Sequence, residues 1–387
     1  MLVPELLLIG QLIDRSGMAW CIAAYGREGM QQVAIEEWMG ASPIYTRRMQ
    51  QALGYEGDDV VTIFKGLQLD IGAPPQFMDF RYTVHDPWRG EFHLDHCGAL
   101  MDVEPMGPDF VRGMCHDIED PTFDATAVAT NPRAQVRPVH RPPRVPAGRV
   151  PHCAWTVTID PSFPPVSESA DCTALRSSRA ALLALDPIDP ASEGLSDYSG
   201  PLLADLDFAA FSHSALVRMA DEVCLQMHLL VQGFHRAVRR RSPAEEARTI
   251  ALRQLVGIAG VASERLCRAL DLSDALRVLA LHPLLNPAAY VDASVEGALS
   301  VRPSPAHEDG AWISLCGPES VAPLQAAVRA VDPHLDVEVA GTASEWTATV
   351  VRRDRPAPVA EEVAVTRIST GASFAFEPRR SLPITPV

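Results

Sequence analysis

The sequence predicts an α+β protein: N-terminal helices plus a mostly antiparallel sheet, a central helical hairpin or small bundle, and a small C-terminal β-β-α-β-β module. Three observations carry this prediction. Apolar residues recur at helical spacing near the N-terminus (Leu6, Ile9, Leu12 and Ile13, then Val33, Ile35 and Trp38). Two alternating stretches, one through Phe80, Tyr82 and Val84 and one through Phe92, Leu94 and His96, flank an Asp86-Pro87-Trp88-Arg89-Gly90 turn. Two long helical patterns then run over about 207–240 and 243–270.

Taken in order, residues 4–55 predict helices, with Ser42-Pro43 as a cap-like start. Asp58 to Phe64 starts a short helix or strand. The two alternating stretches form a hairpin. Pro108 to His116 predicts a short helix, followed by Asp117 to Asp120 and ended by Pro121. Arg133 to Val139 is a strand that Pro138 confines to a sheet edge. Cys153, Trp155, Val157 and Ile159 mark another strand. Ser242-Pro243-Ala244-Glu245 has the form of a capping box, and Ser273 caps a third helix ending near His282-Pro283. In the C-terminal module, Ala298–Val301, Ala311–Leu315, Leu335–Val339 and Trp346–Val351 are expected strands around a helix over Val321–Val331. The expected organisation is an α+β domain over 1–165, a linker or covering segment over 166–205, a helical region over 206–290, a module over 296–352 and a loose tail over 353–387.

The net charge is -16 and the pI about 5.2, which argues against a nucleic-acid groove or an anionic membrane surface as partner. No apolar run predicts a membrane span. Eight scattered cysteines without a secretory pattern suit a reducing cytoplasm. Glycine-rich phosphate loops, Gly-x-Ser-x-Gly and His-Glu-x-x-His are absent, so no nucleotide cofactor signature is present.

Soft ligands concentrate between Glu91 and Cys153. His93, His96, Cys97, Cys115, His116, His140, His152 and Cys153 all fall there. Thiolate and imidazole bind zinc and iron and also serve as nucleophile and base. Cys97, Cys115, His116 and Cys153 are the candidate metal ligands, with zinc or iron as the possible cofactor. On an α-helix His116 shares a face with Glu119 and Asp120. That suits a base beside a Cys115 nucleophile, with Asp117 or Asp120 orienting it. Arg133, Arg137, Arg141 and Arg144 recur along an extended segment. Arg137, Arg141 and His140 are the candidates for holding a carboxylate-bearing substrate. Packing alone also explains three cysteines between a helix and a sheet. Asp221, Cys224, His228 and His235 form a further stripe on the first long helix, more simply a polar edge.

Cys97 after a strand, Cys115 in a helix with Asp117 following, and Cys153 opening a late strand with Trp155 together resemble the L-2-amino-thiazoline-4-carboxylate hydrolase family. They are also similar to 4-vinyl-reductase-type ligand and metal sensor domains. The likeness covers roughly residues 20–160. His116, His140 and His152 are additional here, and Val150-Pro151-His152 stands where the family has Gly-Asp. The resemblance implies a cysteine-centred hydrolase or a sensor. The expectation is therefore a cytoplasmic small-molecule hydrolase using a Cys/His metal or thiol centre. The alternative is a non-enzymatic small-molecule or metal sensor, with homo-oligomerisation through the helical region possible in either case.

Overall fold

The computed structural model describes residues 1–369 and 380–387. Helix α1 (Leu2–Ala52) is broken at Gly26, whose φ of 70° and ψ of 180° lie in a region essentially reserved for glycine. The break reverses the chain. Trp38 Nε1 donates to Asp14 Oδ1 at 3.3 Å, although in an unbroken helix residues so spaced would lie about 36 Å apart. The two arms of α1 therefore run back along each other. The second arm does not start at Pro43 but passes through it. Proline removes the N–H that would bond the carbonyl of Met39, and Ser169 Oγ donates to that carbonyl instead, at 3.3 Å. Gly26→Ala should cost about 1–3 kcal/mol. No atom lies within 4 Å of the added Cβ, so the cost is backbone strain alone. Gly148→Ala, equally open but outside the left-handed region, is the control. Equal denaturation midpoints for the two variants would contradict the reversal at Gly26.

Helix α2 (Val60–Gln68) is capped by Asp59, whose side chain accepts from Thr62 N at 2.8 Å. Strands β1 (Met78–Asp86) and β2 (Arg89–Cys97) form the expected hairpin. With β3 (Ala134–His140) and β4 (Cys153–Ile159) they make an antiparallel sheet of order β1-β2-β4-β3, which leaves Pro138 on an edge strand. Its buried face carries Phe80, Phe92, Leu94, Trp155 and Val157.

Between β2 and β3 lie α3 (Gly98–Val103), α4 (Pro108–Arg112), a π turn (Gly113–Ile118) and α5 (Glu119–Val128). Pro121 does not end this helix. The π turn re-registers the hydrogen bonds just before it, with Glu119 N reaching back to Met114 O. Pro121 thus falls in the first turn of α5, where a missing N–H costs least.

The 166–205 stretch covers the surface and holds the short helices α6 (Ala170–Leu175) and α7 (Arg179–Leu182). Lys65 Nζ secures it by donating to Tyr198 O and Gly200 O at 2.8 and 2.7 Å. Helices α8 (His213–Arg239) and α9 (Ala244–Leu270) pack on α1. The approach of α8 is close: a Cβ on Gly233 would sit 3.0 Å from the Glu37 backbone. Ser242 does not cap α9. Its hydroxyl pairs with Tyr25 Oη at 2.7 Å, and Pro243 holds the cap position. Asp274, one residue beyond Ser273, caps α10 (Ala275–Leu281).

The C-terminal module contains α11 (Ala288–Val291), β5 (Ala293–Val295), β6 (Leu299–Val301), α12 (Pro305–Glu308), α13 (Ala322–Val331), β7 (Leu335–Gly341) and β8 (Trp346–Arg352). Its antiparallel sheet runs β5-β6-β8-β7. The expected strand over Ala311–Leu315 is a 3₁₀ turn (Trp312–Leu315), and Ala293–Val295 pairs in its place. Trp312, Ile313 and Leu315 are all buried, so this segment is enclosed rather than two-faced.

The chain after 353 is not loose where it is described. Helix α14 (Glu361–Thr366) buries Val363, and Thr366 Oγ1 donates to Ser16 Oγ at 3.1 Å. Ile384 N bonds Leu202 O at 2.8 Å. One apolar cluster extends from Val3 to Val363, joining the sheet, the long helices and the C-terminal module. By length and composition α1 could cross a membrane, contrary to expectation, but 72% of its most apolar window is buried inside the protein.

Candidate functional site: an acidic pocket behind the cysteine cluster

The three expected cysteines come close enough to influence one another's ionisation. Cys97 ends β2 and caps α3, its Sγ accepting from Leu100 N at 3.4 Å. Cys153 opens β4 opposite Leu94. Cys115 sits on the π turn. All three are buried. Burial and then Glu119 push the Cys97 thiol up to about 12 and raise the other two as well. These are neutral thiols packed between helix and sheet.

The partners expected for them point elsewhere. His116 Nε2 donates to Pro142 O at 2.6 Å. Asp117 is exposed. Asp120 pairs with Arg141, whose guanidinium also lies 5.9 Å from the Trp155 ring centre. An α-helical register aligns His116 with Asp120, but the extra residue of the π turn breaks that register. Arg137 is bound to Asp124 at 2.9 Å, so both candidate arginines are engaged within the protein. His140 is half-buried, its pKa lowered by burial and then by Arg149. His116 faces a carbonyl, Cys97 caps a helix, and among the described residues no three His, Cys, Asp or Glu side chains are grouped to hold a metal. On α8, His228 donates from Nε2 to Asn286 O at 2.9 Å, and burial brings both His228 and His235 down to about 4.

A thiol near pKa 12 is only about one part in ten thousand thiolate at pH 8. Titration of the folded protein with a disulfide reagent should therefore show one accessible thiol, the half-exposed Cys267. Cys267→Ser should abolish that phase. A rapid phase of three thiols that survives Cys267→Ser would contradict this account.

The group that does converge lies one layer further in. A pocket of about 90 Å³ opens between the arms of α1, the π turn, α5 and the Asp70–Ala73 turn. Gln11, Asp14, Arg15, Trp38, Asp70 and Glu119 supply its polar wall. Asp70 accepts from Tyr45 Oη at 2.8 Å and Gly72 N at 2.7 Å, and burial still raises it to about 6. Glu119 is raised further, to about 8, by burial and then by Asp120, against Arg141 and Arg15. Its Oε2 has no hydrogen-bond partner. The same holds for Oε1 of Gln11, which is 3% exposed. Arg15 Nε stands 3.6 Å from Asp14 and 3.8 Å from Asp102. Glu37 is completely buried beside Asp14, and burial followed by that neighbour pushes its pKa well up.

Buried polar groups are normally satisfied, so unpartnered oxygens on residues that line a pocket single this wall out as the candidate site. The sequence singles out Glu119 only as a neighbour of His116. Asp14 and Glu37 come together through the reversal at Gly26, which a lone glycine in a helical pattern signals weakly. In comparisons with known proteins, no family model, no curated protein and no solved structure matches the chain.

Proposed function

We propose that this protein is a small-molecule enzyme, a hydrolase, whose chemistry is proton transfer by Glu119 in the α1 pocket. The observation that carries the reading is a buried carboxyl, raised to about 8, on a residue that lines a cavity and has one unpartnered oxygen. A general acid or base works best with a pKa near the working pH. Glu119 would give its proton to the leaving atom of the substrate. The carboxylate so formed is stabilised by Arg15 and Arg141 and then takes a proton from the attacking water. Cys97, Cys115 and Cys153 contribute the neutral surroundings that keep Glu119 protonated.

Incubation with a mixture of small polar metabolites, followed by mass spectrometry, tests the proposal. The wild-type protein should convert at least one component to hydrolysis products, and Glu119→Gln should be slower by about 100- to 10,000-fold. A component that stabilises the protein but is never consumed would overturn the enzyme reading in favour of a sensor.

A further inference from the structure

We infer that the ligand of this pocket is an amine with an apolar body, its nitrogen set among Gln11, Asp14 and Glu119 and its body in an adjoining methionine-lined chamber. The inference rests on the site reading above and adds the chemical class of what enters it. The first argument is hydrogen-bond polarity. Two of the three unpartnered buried atoms on residues of the wall, Gln11 Oε1 and Glu119 Oε2, are oxygens, on residues only 3% and 9% exposed, and the third, Arg15 Nε, stands 3.6 Å from Asp14 and 3.8 Å from Asp102. Buried acceptors without donors ask for N–H groups from the ligand. The second is charge. Arg15, the cation in the wall, already has Asp14 and Asp102 beside it, and Asp70 adds a further carboxyl. An incoming carboxylate would meet like charge, whereas an ammonium meets acceptors and the rings of Trp38 and Phe123.

The third argument is shape. A second cavity of about 200 Å³ shares Arg15, Met18, Met30, Met114 and Ile118 with the first. Ile22, Phe110 and Val365 extend its apolar wall. Methionine side chains adapt to irregular apolar guests. A polar recess that shares a wall with an apolar chamber therefore suits an amphiphile, its charged end among the carboxylates and its body among the methionines. Ammonium arrival also favours loss of the Glu119 proton, because an adjacent positive charge stabilises the carboxylate.

Calorimetry on the intact wild-type protein tests this with simple probes: n-alkylamines from ethylamine to octylamine, and hexanoate and hexan-1-ol as matched controls. Hexylamine should bind, with affinity rising about fourfold per methylene over the shorter chains. Hexanoate should be weaker by on the order of 100-fold, from like charges at close range. Hexylamine binding near pH 7 should release protons in wild type and not in Glu119→Gln. The inference is overturned if hexanoate or hexan-1-ol binds as tightly as hexylamine, if amine affinity ignores chain length, or if no amine binds. Amine failure with metabolite turnover intact removes the amine assignment alone. Loss of both removes the pocket as a functional site.

Discussion

Glu119→Gln should make the protein more stable at pH 8 and leave it nearly unchanged at pH 4. Glutamine imitates the protonated carboxyl but cannot ionise. The folded-state pKa of Glu119 is raised from 4.5 to about 8. Below pH 4.5 both folded and unfolded chains hold the proton, so this group adds no pH dependence there. As pH rises towards 8, the unfolded chain gives up the proton while the folded chain keeps it. Folding then loses about 1.4 kcal/mol per pH unit through this group, a total of about 4 kcal/mol by pH 8. The stability conferred by the retained proton is thus present at low pH and lost as pH rises through the folded-state value. Denaturant unfolding of both proteins across pH 4–8 reads the difference directly. Parallel wild-type and variant curves would mean that Glu119 has an ordinary carboxyl pKa.

Trp155→Ala should destabilise the protein by about 3–5 kcal/mol. The Trp155 side chain is fully buried. Its ring centre lies 5.0 Å from that of Phe123 and 6.3 Å from that of Phe92, so one residue joins α5 to the sheet. The substitution also removes the surface over which Arg141 lies, and Arg141 opposes the upward shift of Glu119. Chemical unfolding should show the stability loss. A change below about 1 kcal/mol would show that the site collapses on truncation and that Trp155 does not tie the helix to the sheet.

Much of the fold is written in local patterns. Phe80, Tyr82 and Val84 alternate across a short turn from Phe92 and Leu94, and the hairpin follows. Pro138 confines β3 to an edge, and Cys97 and Cys153 lie at adjoining ends of the paired strands β2 and β4. The site is less legible because two departures from regular helix build it. Gly26 folds α1 back, bringing Asp14 and Trp38 into contact from opposite ends of one helical pattern. The π turn inserts an extra residue before Glu119, so α-helical spacing assigns His116 and Asp120 to one face when the fold sends them to Pro142 and Arg141. Periodicity assumes a fixed number of residues per turn, and it fails where that number changes. The arginines of the extended segment illustrate a second limit. Sequence shows the cations, but their acidic partners, Asp124 and Asp120, come from a neighbouring helix.

The central claim is that Glu119 is a protonated carboxyl near neutral pH facing a pocket. Carbon-13 NMR of the glutamate side-chain carboxyls, followed by pH titration of the intact protein, tests it most directly. The Glu119 resonance, assigned by its loss in Glu119→Gln, should titrate with a midpoint of about 8. A midpoint at the ordinary glutamate value of 4.5 would contradict the account.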